Sequence, residues 1–178
     1  MEWQHHRHLV HEAQASLYGE IKTNESRLAS VLDDVRKQEA TLKQDVVILD
    51  QLIKDPKSNT HQQMSISFRI VGFDNVSWKT AQNTGALAYM PYDRAQEYAG
   101  IYSLQDDLDM AQKQGARDAI LSLGSYLNTD VTDPAAATAQ NERRKQQIEV
   151  EQGQLLFIDS LVTGLDAEYK KFLAAHPE

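Results

Sequence analysis

Cysteine is absent from this chain. That excludes disulfides, thiol catalysis and cysteine metal sites, and leaves the compartment open. Proline is scarce, and none lies between Glu2 and Pro56, where Gly19 is the single glycine. Nothing in that stretch breaks a helix. Long hydrophobic runs are also missing. The longest falls far short of the about 20 residues of a spanning helix, and no signal-peptide pattern is present. Basic clusters are few: Arg143-Arg144-Lys145 is the one run, and it sits among Glu142 and Glu149. With a net charge of −8, this argues against a nucleic-acid partner, because neutralising phosphates needs clustered Lys and Arg. There is no Gly-x-Ser-x-Gly elbow, P-loop or Rossmann glycine pattern. No cofactor is expected.

What is present is helical periodicity. Hydrophobic residues make up 41% of the chain and charged residues 25%, which predicts a folded domain. From Trp3 to Ile53, apolar residues recur at Val10, Ala13, Leu17, Ile21, Leu28, Val31, Val35, Leu42, Val46, Leu49 and Ile53. Steps of three and four predict one helix with a single buried stripe. At 1.5 Å per residue it would be roughly 75 Å long. Asn24 and Gln38 occupy stripe positions and predict polar layers in a coiled-coil-like core.

After a polar loop the period changes. Met64, Ile66, Phe68 and Ile70 alternate with polar residues, which predicts a short extended segment near 64–71. Ser77 reads as the N-cap of a short helix over about 78–90. Pro91 then fits the first turn of a new helix, or a kink in a continuous one; helix 3 runs over about 92–127, with its stripe at Ile101, Leu104, Leu108, Ala111, Gly115, Ala119, Leu123 and Tyr126. Asp133-Pro134 reads as N-cap and first residue of a fourth helix, about 134–175. There Ile148, Leu155, Val162 and Tyr169 are spaced by seven, with Ile158, Leu165 and Phe172 between them. Its first half, 135–147, is poor in large apolar residues and is expected to project beyond the core. The predicted fold is all-α: one elongated antiparallel helical bundle spanning 1–178, with a very long N-terminal helix over about 3–54. Asp33/Lys37, Glu39/Lys43, Asp109/Lys113 and Asp166/Lys170 are acid-before-base pairs at i,i+4, the pattern of solvated helix faces.

Three groups of residues invite a functional reading. His5 and His8, or His8 and His11, are three apart and share a helix face, as metal ligands can. A helix terminus with no second ligand pair makes a polar collar the better reading, so only weak metal binding is expected. Trp3 with its His/Arg neighbours suits a membrane–water interface. The third group is Trp78, Ala81, Thr84 and Gly85, with Tyr98 and Tyr102 behind them. It reads either as a small aromatic pocket for a small-molecule ligand or as a tight helix crossing plugged by Trp78 and opened by Gly85; packing is favoured. Asp106, Asp107 and Asp109 read as solvated; a cytosolic enzyme with an unrecognised carboxylate site stays an alternative.

The run from Trp3 through Leu9-Val10-His11-Glu12-Ala13 and Glu20-Ile21-Lys22-x-Asn24 resembles bacterial membrane-anchored helical proteins of unknown function. Trp78-x-Thr80-Ala81-x-x-Thr84-Gly85-Ala86-Leu87 and Tyr98-Ala99-x-x-Tyr102 are similar to the same group. The likeness covers about the first two thirds of the chain and supplies no catalytic residues. It implies a single N-terminal transmembrane helix running into the long helix. About 20 apolar residues are therefore expected just before Glu2. An inner-membrane anchor with its N-terminus inside would put this domain in the periplasm, and the chain in hand is expected to be soluble. The expected function is non-enzymatic: binding or sensing a protein partner, or self-association through helices. The alternative is a small-molecule sensor.

Overall fold

The computed structural model describes residues 2–55, 69–127 and 133–177. Four α-helices pack into a bundle: α1 (Glu2–Lys54), α2 (Val76–Asn83), α3 (Tyr92–Leu127) and α4 (Pro134–Ala175), with a 3-10 turn at Ala86–Tyr89. Among the described residues there is no strand. Most of the expected extended segment lies outside them, and 69–71 has no regular structure.

The chain divides into two compact units. The first comprises Met1–Leu32, Val71–Asp109 and Leu161–Glu178; the second comprises Asp33–Ile70 and Met110–Ser160. In the first unit the core residues are Leu17, Ile21, Leu28 and Val31 of α1, Tyr98, Ile101, Tyr102 and Leu108 of α3, and Val162, Leu165, Tyr169 and Phe172 of α4. Alternating steps of three and four hold each helix's stripe in one direction. Each buried Leu or Ile contributes roughly 1.5–3 kcal/mol by leaving water.

Polar residues interrupt both cores. In the first unit Asn24 is fully buried, and its amide is spent on loop backbone. Its Nδ2 donates to the Asp74 carbonyl at 2.7 Å, and its Oδ1 accepts from the Asp74 N–H at 2.9 Å. The amide thus binds a loop backbone as a strand would. Arg27 adds an ion pair to the Asp74 carboxylate at 2.9 Å. In the second unit Asp45, Gln112, Ser122, Arg144 and Glu151 are buried. The α3 stripe therefore differs from the apolar one expected: Gln112 and Ser122 are buried, while Ala111 is half-buried. The first half of α4 does not project. Ala137, Thr138, Gln140 and Asn141 are half-buried, and Arg144 is buried.

The start of α4 follows its capping signal: Asp133 Oδ2 accepts from the Ala136 N–H at 3.2 Å. Among the expected surface pairs, Glu39–Lys43 lies at 3.6 Å and Asp166–Lys170 at 2.7 Å. The helix expected over 78–90 requires correction. Its cap is Asn75 and it starts at Val76, so Ser77 lies inside it. It ends at Asn83 because Gly85 adopts a left-handed backbone with φ of 73°. The 3-10 turn that follows reaches Tyr89, and α3 starts after Pro91, whose carbonyl accepts from the Ala95 N–H at 3.0 Å.

Gly85 is therefore present for its backbone, not for close packing. A Cβ built there would meet no atom within 4 Å. Any L-residue with a Cβ pays about 1–2 kcal/mol for the left-handed conformation. We expect Gly85→Ala and Gly85→Leu to lose similar stability in urea titrations, and Gly85→Asn to lose less. A graded loss that grows with side-chain volume would show that space, not φ, selects glycine.

Candidate functional site

In the first unit, three helices converge on the carboxylate of Glu20. This residue sits on α1 one position before the buried Ile21. Its Oε1 accepts from the Tyr102 hydroxyl at 2.6 Å, and its Oε2 accepts from the Ser77 N–H at 2.8 Å. Ser77 is in the first turn of α2, where amides lack partners within the helix. A negative charge is favoured there. One carboxylate thus ties α2 and α3 to α1.

Trp78 closes the same knot. Its ring stacks on Tyr102 with centroids 5.0 Å apart and planes 7° from parallel. Tyr98 lies one turn earlier on α3, buried, with its ring 5.2 Å from Phe172 of α4. Burial pushes the Tyr102 hydroxyl far above its ordinary value, and its bond to Glu20 adds to this. Burial raises Tyr169 as well. Neither phenol can act as a base near neutral pH. Two polar atoms of this core, Gln105 Nε2 and Tyr169 Oη, have no hydrogen-bond partner among the described residues.

The predicted aromatic group is thus brought together only in part. Trp78, Tyr98 and Tyr102 share one core, and Ala81 is buried on the inner face of α2. Thr84 is exposed and spends its hydroxyl on the Thr80 carbonyl at 2.8 Å. The 7° stack leaves no slot between Trp78 and Tyr102. Space opens instead between α1 and α2, in a groove of about 570 Å³ lined by Leu9, Ala13, Ser16, Ser77, Thr80 and Thr84 among others. Within the first unit α2 meets α1 through Glu20 and α3 through Tyr102. Glu20 escaped the sequence reading because one glutamate beside an apolar stripe looks like any solvated charge. A tyrosine on the facing stripe was the available signal.

The histidines are dispersed. His8 Nε2 lies 3.1 Å from Glu12, one turn along α1. His6 stacks on Tyr89 with centroids 3.8 Å apart. His5 and His11 are exposed. Among the described residues no three His, Asp or Glu side chains are grouped to hold a metal. At this end of the first unit Arg7 lies over the Trp3 ring at 4.7 Å, and Trp3, Tyr89 and Tyr92 are 68%, 52% and 73% exposed.

The second unit holds a different polar centre, with one residue from each of three helices. Ser122 of α3 has its Oγ 2.8 Å from Oε1 of Glu151 on α4 and also 2.8 Å from its own helix's Ala119 carbonyl. A hydroxyl has one hydrogen to give. Both contacts are satisfied together when Glu151 carries a proton and donates to Ser122. Burial raises the Glu151 carboxyl above its ordinary range, its bond with the Ser122 hydroxyl opposes this, and the nearby Asp45 of α1 raises it further. Burial raises Asp45 too.

No protein-family model matches the chain, and no curated protein or solved structure is similar to it. No helix among the described residues is long and apolar enough to cross a membrane.

Proposed function

We propose that this chain is the non-catalytic helical domain of a membrane-tethered bacterial envelope protein, which binds a protein partner at its helices. The observation that carries the reading is the aromatic and basic end of the first unit. Trp3, Tyr89 and Tyr92 are exposed there beside Arg7 and the stacked His6. Tryptophan and tyrosine of this kind favour the headgroup region of a bilayer, and arginine favours anionic lipid. Tyr89 is remote from Trp3 in sequence yet lines one groove with Trp3, His6 and Arg7, so their gathering supports a shared purpose. An antiparallel course of α3 and α4 fits the reading; in the second unit Asp118 meets Gln154 and Ser122 meets Glu151.

Fractionation of the native cells tests the tether. The protein should sediment with inner membranes and resist release by salt or carbonate, yielding only to detergent. Recovery in the cytosolic fraction would overturn the reading. A second reading, the small-molecule sensor, rests on the α1–α2 groove, where Ser16, Ser77 and Thr80 bring hydroxyls to an apolar wall of Leu9, Ala13 and Ala81. Its test is a ligand retained through purification in native mass spectrometry.

A further inference from the structure

In the first unit an open trough of about 670 Å³ lies between α3 and α4. Its floor is apolar: Gly100, Ile101 and Leu104 on one side, Phe172 and Ala175 on the other. Its rim is acidic. Asp93, Glu97 and Glu168 line it with Lys171, which Glu168 holds at 3.1 Å, and Arg94 stands beside it, 3.7 Å from Glu97 and 5.8 Å from the Phe172 ring, so carboxylates outnumber the cations there.

We propose that this trough binds one face of a basic amphipathic helix from a partner protein. Three observations select that occupant. The stretch of α3 along the trough, Asp93 to Leu104, would span roughly 16 Å at 1.5 Å per residue, the length of three turns of a docked helix. At its middle a Cβ on Gly100 would meet nothing within 4 Å. A glycine inside a helix costs about 1 kcal/mol relative to alanine, and here no internal contact repays that cost. Open space above Gly100 lets another helix approach closely. The rim then decides the sign of the partner. Carboxylates flanking an apolar floor steer lysine and arginine toward it and repel an acidic helix. Glu97 also lies 3.0 Å from His176 and 3.7 Å from Arg94, so the rim carboxylate is held in place before any partner arrives. The proposal rests on the partner-binding half of the proposed function and is independent of the tether.

The probe is a fluorescein-labelled Leu/Lys amphipathic peptide of about 14 residues, roughly 21 Å as a helix, read by anisotropy against the whole chain. A Leu/Glu peptide of equal length is the control. The Leu/Lys peptide should saturate with Kd near 10 µM or tighter, and the Leu/Glu peptide should bind at least about tenfold more weakly. Gly100→Phe fills the trough and should weaken the Leu/Lys peptide by about tenfold, with an unchanged helical circular-dichroism spectrum. Glu97→Lys should act in the same direction, while Asp106→Lys, on the opposite side of α3, should leave binding within about twofold. Absence of saturable binding overturns the proposal. So does an equal loss from Glu97→Lys and Asp106→Lys, which would reveal unspecific charge attraction. Binding that survives Gly100→Phe would put the site elsewhere. None of these outcomes bears on whether the protein fractionates with membranes.

Discussion

Tyr102→Ala should cost about 3–5 kcal/mol of unfolding free energy, the range for truncating a large core aromatic. The residue is 2% exposed, and two neighbours depend on it. The Trp78 ring loses its 5.0 Å stacking partner, and the Glu20 carboxylate loses a 2.6 Å hydrogen bond. For a chain of this length the loss corresponds to roughly 6–20 °C in melting temperature, taking 2–4 °C per kcal/mol. Tyr102→Phe keeps the ring and removes only the donor. It should cost about 1–3 kcal/mol, the cost of a buried acceptor losing its donor. Trp78→Ala should fall between the two, because Trp78 is half-buried. Thermal melts of the three variants check the order. If Tyr102→Phe melts with the parent, the bond to Glu20 contributes nothing. The tie between the three helices would then be packing alone.

The second large effect is electrostatic and concerns Asp45 and Glu151. Burial raises the pKa of both. A carboxyl whose folded pKa lies above its unfolded value binds protons more tightly when folded. Stability therefore falls as pH rises from the ordinary carboxylate range, about 4, through the raised values. Above them the full penalty of two charged carboxylates in one core is present. Other charges near this core include Arg144, buried on α4, and Arg143 and Asp118, which share a surface groove with Glu151 and Ser122. Lys145 pairs with Asp50 at 2.7 Å.

Asp45→Leu should accordingly stabilise the protein by about 1–3 kcal/mol at pH 8, the cost of a poorly compensated buried polar group. As pH falls and the parent carboxyl takes up its proton, the gain should shrink. Glu151→Gln should be neutral or stabilising at pH 8. Its amide can donate to Ser122 while Ser122 donates to Ala119, the arrangement that the native contacts require of a protonated glutamate. Urea titrations across this pH range check both variants. A parent whose stability rises steadily from pH 5 to pH 8 would show that the two carboxylates are already well compensated.

Much of the helical content was legible in the residues alone. The stripes of α1 and α4 predicted their core positions because a single step pattern persists for many turns, and random sequence does not sustain one. Asp133 and Pro134 marked the start of α4 because their effects on the first turn are local. Local chemistry likewise explains why Gly85 stood out, although its reason was misread. Glycine is compatible with a helix interior and with its end, and only the chain beyond Asn83 decides between them. The buried polar residues were the larger gap. Asp45 and Glu151 carry solvated-type side chains at stripe positions, and a one-helix pattern assigns such residues to the surface. Whether a polar residue is buried depends on what the facing helices offer, and that information is not within the segment. The same holds for Glu20. Its neighbours along the chain gave no sign of a role, because both donors it serves, Ser77 and Tyr102, arrive from distant segments. Periodicity determined which faces turn inward. Tertiary structure decided which inward polar atoms meet, since a hydrogen bond needs its partner within about 3 Å and the chain's local pattern has no term for that distance.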